Sequence, residues 1–124
     1  MIKDAKESVI LMTTEDGLIR KADILRAAFE KAKKNGAKIK IAAPITKKTE
    51  EVAKVLSKIA TVKHVDDIKA RFCVIDGKEV AFFLLDDKEI HPTYDVGVWA
   101  NTPFFANALD KIFTKVWKDF PSQK

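Results

Sequence analysis

Hydrophobic positions along this chain change period several times, and each change marks an element. Residues 8–14 contain an unbroken apolar run, Val9-Ile10-Leu11-Met12, as expected of a strand buried on both faces. From Leu18 the period lengthens. Leu18, Ala22, Leu25, Phe29 and Ala32 fall on one helical stripe, and Asn35-Gly36 supplies a C-terminal stop. Residues 37–45 return to a strand period, with Lys38 and Lys40 alternating against Ile39 and Ile41, and Pro44 marks the strand's end. Val52, Val55, Leu56 and Ile59 form the stripe of a second helix opening between Thr46 and Thr49, and a short strand follows over residues 62–65.

The second half is strand-rich. The run Lys69-Ala70-Arg71-Phe72-Cys73-Val74-Ile75 and the apolar run of residues 80–85 meet at Asp76-Gly77. This dipeptide suits a tight hairpin because both residues take positive φ cheaply. Residues 86–94 read as a polar loop interrupted by Pro92, and residues 95–100 as a last strand in which Val96 and Val98 alternate against Gly97 and Trp99. Thr102-Pro103 places a hydroxyl at a helix cap and proline at the first helical position. The stripe of that helix is Phe105, Leu109, Ile112, Phe113, Val116, Trp117 and Phe120, and Pro121 ends it. With no repeat, linker or low-complexity tract, residues 1–124 read as one α/β domain of order strand-helix-strand-helix, then four strands and a helix. Helices after the first two strands imply right-handed crossovers and a parallel part of the sheet, continued by an antiparallel hairpin.

Composition narrows the class. Of 124 residues, 47% are apolar and 33% charged, a globular rather than disordered balance. No apolar run approaches the roughly 20 residues that span a bilayer, so no membrane partner is expected. The single Cys73 cannot form an internal disulfide, which fits a reducing cytoplasm. Mid-strand, with no histidine near it in sequence, it reads as inert packing. The net charge of +5 comes from lysines on solvated faces. There is no helix-turn-helix or zinc-finger spacing, and aromatics do not interleave with the basic residues as a single-strand binder requires.

His64 and His91 lack metal-ligand spacing and read as ordinary hydrogen-bonding histidines, so neither metal nor cofactor is expected. Asp66 and Asp67 beside Lys69 and Arg71 form a charge-paired strip, and Trp99 and Trp117 read as core or interface anchors.

The register Lys69, Arg71, Asp76 carries the chemical reading. It resembles the motif of the phospholipase D superfamily, in which a catalytic His, a Lys two residues on and an Asp seven residues on occupy this kind of strand and turn. Asp4-Ala5-Lys6-Glu7-Ser8-Val9-Ile10-Leu11 is similar to the opening strand of that fold. The stretches from Gly97-Val98-Trp99 to Ala106 and from Phe113 to Trp117 are similar to its closing strand and helix. The chain most resembles the phospholipase D-like domain of TrmB-type archaeal transcriptional regulators, in which a winged-helix DNA-binding module precedes such a domain.

The resemblance implies a mixed sheet flanked by helices, and its departures imply a lost activity. Lys69 stands where the nucleophilic His belongs, and an amine of ordinary pKa about 10.4 is protonated at neutral pH. The Gly-Ser-x-Asn loop of the enzymes is replaced by Phe83-Leu84-Leu85-Asp86. Lys69, Arg71 and Asp76 then remain as a degenerate motif that can hold a small anion or metabolite.

The leading expectation is a non-catalytic regulatory and dimerisation domain, its winged helix lost, carried by another chain or cut away. A degenerate phosphodiesterase and a stand-alone basic nucleic-acid binder are the alternatives. Single-motif members of the superfamily resemble half of a two-motif enzyme and pair about a two-fold axis, which implies a homodimer here. Its interface candidates are Phe82, Phe83, Leu84, Leu85, Trp99, Phe104 and Phe105, because strict alternation breaks across residues 81–85.

Overall fold

A computed structural model of the chain describes residues 2–65, 71–83 and 97–119. A short 3-10 turn (Ile2–Asp4) leads into β1 (Ser8–Met12), followed by α1 (Glu15–Arg20), α2 (Ala22–Lys34) and β2 (Lys38–Ala43). Next come α3 (Glu50–Leu56), β3 (Thr61–His64), β4 (Phe72–Ile75), β5 (Glu79–Phe83), β6 (Gly97–Asn101) and α4 (Pro103–Trp117). The six strands form one mixed sheet in the order β3-β2-β1-β4-β5-β6. Strand β1 pairs parallel with β2, and β2 with β3, whereas β4, β5 and β6 continue the sheet antiparallel. This is the mixed α/β sheet expected from the residue pattern.

Local chemistry explains most of the boundaries. The Thr14 hydroxyl caps α1 by accepting from the Gly17 amide at 3.1 Å. Helix α2 ends in the hydrogen-bond pair of a Schellman cap: Gly36 N–H donates to Lys33 C=O and Ala37 N–H to Ala32 C=O. Gly36 adopts φ 96°, the left-handed position that this cap requires. Between β4 and β5, Asp76 (φ 54°) and Gly77 (φ 65°) make the hairpin turn, closed by Lys78 N–H donating to Ile75 C=O at 3.0 Å.

The sheet separates two cores. On one face Leu18, Leu25, Phe29, Ala53 and Leu56 of α1–α3 pack on Val9, Leu11, Ile39, Ile41 and Cys73. On the other, Ala106, Phe113 and Trp117 of α4 pack on Ile10, Met12, Val74 and Val80. Each fully buried Phe or Leu contributes about 1.5–3 kcal/mol relative to exposure, so the alternation of β1 and β4 binds helices to both faces.

Four expectations need correction. The stripe from Leu18 to Ala32 is divided by a turn at Lys21, and Ala22 is only half-buried. The second stripe holds at Leu56, which is buried, and at Val52 and Ile59, which pack half-buried against the same core, but α3 ends at Leu56, before Ile59, and its other buried residue is Ala53. The expected stripe of α4 is wider than its buried face. Phe113 and Trp117 are buried and Leu109 is half-buried, but Phe105, Ile112 and Val116 are exposed. One helix on one sheet covers only part of so broad an apolar arc. Thr102 makes no side-chain cap bond; its amide instead donates to Lys78 C=O at 2.9 Å. Phe120, Pro121 and the loop of residues 86–94, including His91, lie outside the described residues.

Candidate functional site

In open α/β sheets, ligands gather outside the carboxyl ends of the parallel strands. Arg71 immediately precedes β4, and because β4 runs antiparallel to β1 with Met12 opposite Phe72, Arg71 lies at the carboxyl end of β1. Its side chain is only 6% exposed. With Leu11, Thr13, Gly17, Leu25 and Cys73 it lines a cavity of about 50 Å³. That volume suits one or a few waters rather than a phosphodiester substrate. Arg71 already has an interaction partner within the chain.

Gly17 admits this arrangement by having no side chain. A Cβ there would meet Thr13 Oγ1 at 2.5 Å, Thr14 Oγ1 at 3.1 Å and Arg71 Cδ at 3.3 Å. Close approach of α1 to the motif strand therefore requires glycine for steric reasons. The neighbouring loops are tied together by polar contacts. Thr46 Oγ1 donates to Glu15 Oε1 at 3.1 Å, and Thr49 Oγ1 donates to Pro44 C=O at 3.0 Å. The amide of Ile45 donates to His64 Nδ1 at 2.9 Å, which puts the proton of a neutral imidazole on Nε2. His64 thus joins the end of β3 to the loop after β2, in the hydrogen-bonding role expected of it.

Asp76 lies at the other end of β4. Four strand residues separate it from Arg71, which at about 3.3 Å per residue puts the two on opposite edges of the sheet. Their sequence spacing suggested one anion site; the fold does not bring them together. The Asp76 carboxylate accepts from Glu7 N–H at 2.8 Å, Ser8 N–H at 3.0 Å and Lys6 N–H at 3.2 Å. It is a clasp that ties the hairpin to the entry of β1. Desolvation pushes its pKa up, but the amides of Glu7, Ser8 and Lys6, aided by Lys78, outweigh this and hold it below the ordinary 3.8. Lys69, Asp66 and Asp67 lie outside the described residues.

Cys73 faces the first core, and burial pushes its thiol up to about 12. At neutral pH it stays protonated and is a poor nucleophile. Among the described residues no group of His, Cys, Asp or Glu is placed to hold a metal ion, and no helix is long and apolar enough to cross a membrane. Missing from the sequence reading were Thr13, Gly17 and the Thr46–Glu15 link. The only signal available was the Thr13-Thr14-Glu15 run at the end of the first strand, which marks a helix cap.

The interface candidates separate. Phe82 is held within the chain, its ring centroid 6.4 Å from Phe72 and 5.6 Å from Phe105. Leu84, Leu85 and the side chain of Phe83 lie outside the described residues. Trp99 (59%), Phe104 (91%) and Phe105 are exposed, joined by Ile112 (62%) and Val116 on α4. Trp117, by contrast, is buried and stacked on Phe113 at 5.2 Å.

This architecture is the phospholipase D-like fold, a mixed sheet with helices on both faces. It is similar to the structure of NucT from Helicobacter pylori, with a TM-score of 0.75 and 17% identity over 98% of this chain and 86% of that one. It is also similar to TrmBL2, an archaeal chromatin protein whose structure shows a novel mode of DNA binding. There the TM-score is 0.66 and the identity 16%, over 98% of this chain and 47% of that one, so the chain spans about half the length of TrmBL2. At such identities the likeness is one of fold. No protein-family profile matches the chain, and no curated protein matches it by sequence.

Proposed function

We propose that this chain is a non-catalytic phospholipase D-like domain that works by self-association, in the manner of a regulatory domain related to the TrmB-type proteins. The observation that carries the reading is the apolar seam on α4, exposed at Phe105, Ile112 and Val116 and half-buried at Leu109. Phe105, Leu109, Ile112 and Val116 recur at intervals of four, three and four residues, the spacing of a helix-pairing seam. In an antiparallel pair about a two-fold axis, Phe105 of one copy opposes Val116 of the other, and Leu109 opposes Ile112. The seam is therefore self-complementary, as a symmetric dimer requires. Trp99 on β6 and Phe104 in the first turn of α4 are further exposed apolar side chains.

Sedimentation equilibrium at micromolar concentration is expected to give a species of twice the 13.9 kDa chain mass. Ile112→Asp, which puts a charge into the seam at a position exposed within one chain, is expected to give a folded monomer. A wild-type protein that sediments cleanly at 13.9 kDa sinks the assembly reading.

The non-catalytic half of the reading rests on Lys69 at the nucleophile position and on Phe83-Leu84-Leu85-Asp86 in place of a hydroxyl-bearing loop. The tightness of the Arg71 cavity supports it. Purified protein is expected to show no turnover of a chromogenic phosphodiester or of plasmid DNA, with or without divalent metal. Turnover that disappears in Lys69→Ala would establish a phosphodiesterase instead. The DNA-binding character of TrmBL2 suggests a nucleic-acid setting for such an assembly, with the contacts made either by this domain or by a DNA-binding module joined to it.

A further inference from the structure

Parallel strands are ordinarily covered on both faces, yet on the side of β2 and β3 away from α2 and α3 only Ala42 is buried in the core beneath α4, and the rest of that side is polar. Ile39, Ile41, Ala43 and Val62 belong to the core beneath α2 and α3. The opposite side carries Lys38 and Lys40 on β2 and Thr61 and Lys63 on β3, in a register that pairs Lys40 with Thr61 and Ala42 with Lys63. Helix α4 packs over β4 and β5, and its last residue, Trp117, marks where this lysine face begins. Lys63 Nζ sits 4.7 Å and Lys40 Nζ 5.8 Å from the Trp117 ring. Lys63 also donates to the Trp117 carbonyl at 2.9 Å, capping the helix terminus.

Two like charges are thus gathered at one ring, with the exposed Lys38 two residues from Lys40. None of the three is ion-paired to a carboxylate among the described residues. An anionic chain laid across them relieves their mutual repulsion. Alternate positions on a strand are about 6.6 Å apart and neighbouring strands about 4.8 Å, so the ammonium groups form a shallow row. Lysines are point charges without arginine's planar fork, and Trp117 is covered, so this face offers contacts to a phosphate backbone and none that read bases.

We propose that the lysine face of β2–β3 binds the phosphodiester backbone of duplex DNA independently of its sequence. This goes beyond self-association and does not depend on the α4 seam.

The test is fluorescence anisotropy with a labelled duplex of mixed sequence, titrated from about 50 mM to about 200 mM salt. Three phosphate contacts predict a slope of log affinity against log salt near −2.7, from about 0.9 per contact. Lys38→Ala/Lys40→Ala is expected to make the slope shallower by about 1.8. Lys31→Ala/Lys34→Ala removes the same charge from exposed positions of α2 and is expected to leave the slope alone. Equal losses in both double variants would reduce the effect to net charge and overturn the proposal. So would absence of duplex binding at about 50 mM salt, or binding of phosphatidylserine vesicles through Lys38 and Lys40 without binding of duplex.

Discussion

Asp76→Ala is expected to destabilise the protein by about 2–5 kcal/mol, and Asp76→Asn by about half as much. Two costs add in the alanine variant. Its backbone must hold φ 54° without a side chain that tolerates the left-handed region, at about 1–2 kcal/mol. The amides of Lys6, Glu7 and Ser8 lose their acceptor, at about 1–3 kcal/mol for the group. Asparagine keeps an oxygen and the turn geometry but not the charge. Urea denaturation of the three proteins measures the series.

The pH dependence follows from the lowered pKa of Asp76. A carboxyl whose folded pKa lies below its unfolded value binds protons more readily in the unfolded chain. Its stabilisation is therefore fully present above the ordinary value of 3.8 and fades as pH falls through the folded pKa. The gap in stability between wild type and Asp76→Asn should be constant near neutral pH and narrow below about pH 4. A gap that widens on acidification would remove the clasp from the account.

Period and turn chemistry, where they agreed, made the sheet legible. Val9-Ile10-Leu11-Met12 has no polar position because β1 lies between two strands with helices on both faces. Asp76-Gly77 marked the hairpin because few residue pairs take two positive φ values cheaply. The helical boundaries were less legible. The α1–α2 turn at Lys21 carries no Gly or Pro, and Leu25 N–H still donates to Lys21 C=O, so the apolar period runs through it unbroken.

The site was legible in its parts but not in its assembly. Arg71 and Asp76 were singled out by spacing along one strand, and spacing cannot say that a strand's two ends serve different edges of a sheet. The clasp at Asp76 depends on amides some 70 residues away in sequence, and amides carry no side-chain signature. Gly17 is needed only because Thr13 and Arg71 converge on it. Lys38 and Lys40 had the plain look of a solvated strand face. What gives them chemical interest is Trp117, which arrives from the far end of the chain.

Phe113→Ala is expected to cost about 3–5 kcal/mol, whereas Ile112→Ala, one residue earlier, should leave the stability of the single chain nearly unchanged. Phe113 is buried with Trp117 stacked on its ring, and it packs on the face formed by Ile10, Val74 and Val80. Truncation there loses the transfer free energy of the ring and leaves a cavity that α4 cannot close without moving. Ile112 is 62% exposed and has little burial to lose. The order should reverse when association is measured at protein concentrations where the folded chain survives in both variants. Ile112→Ala then weakens the dimer directly, because the two-fold pairing sets Ile112 against Leu109 of the second copy. Phe113→Ala weakens it only as far as α4 is displaced from the sheet. Thermal denaturation at low concentration reads the first comparison, and sedimentation equilibrium reads the second. Should Ile112→Ala associate as tightly as wild type, the seam on α4 is not the interface, and a dimer would have to form through Trp99 and the β6 edge.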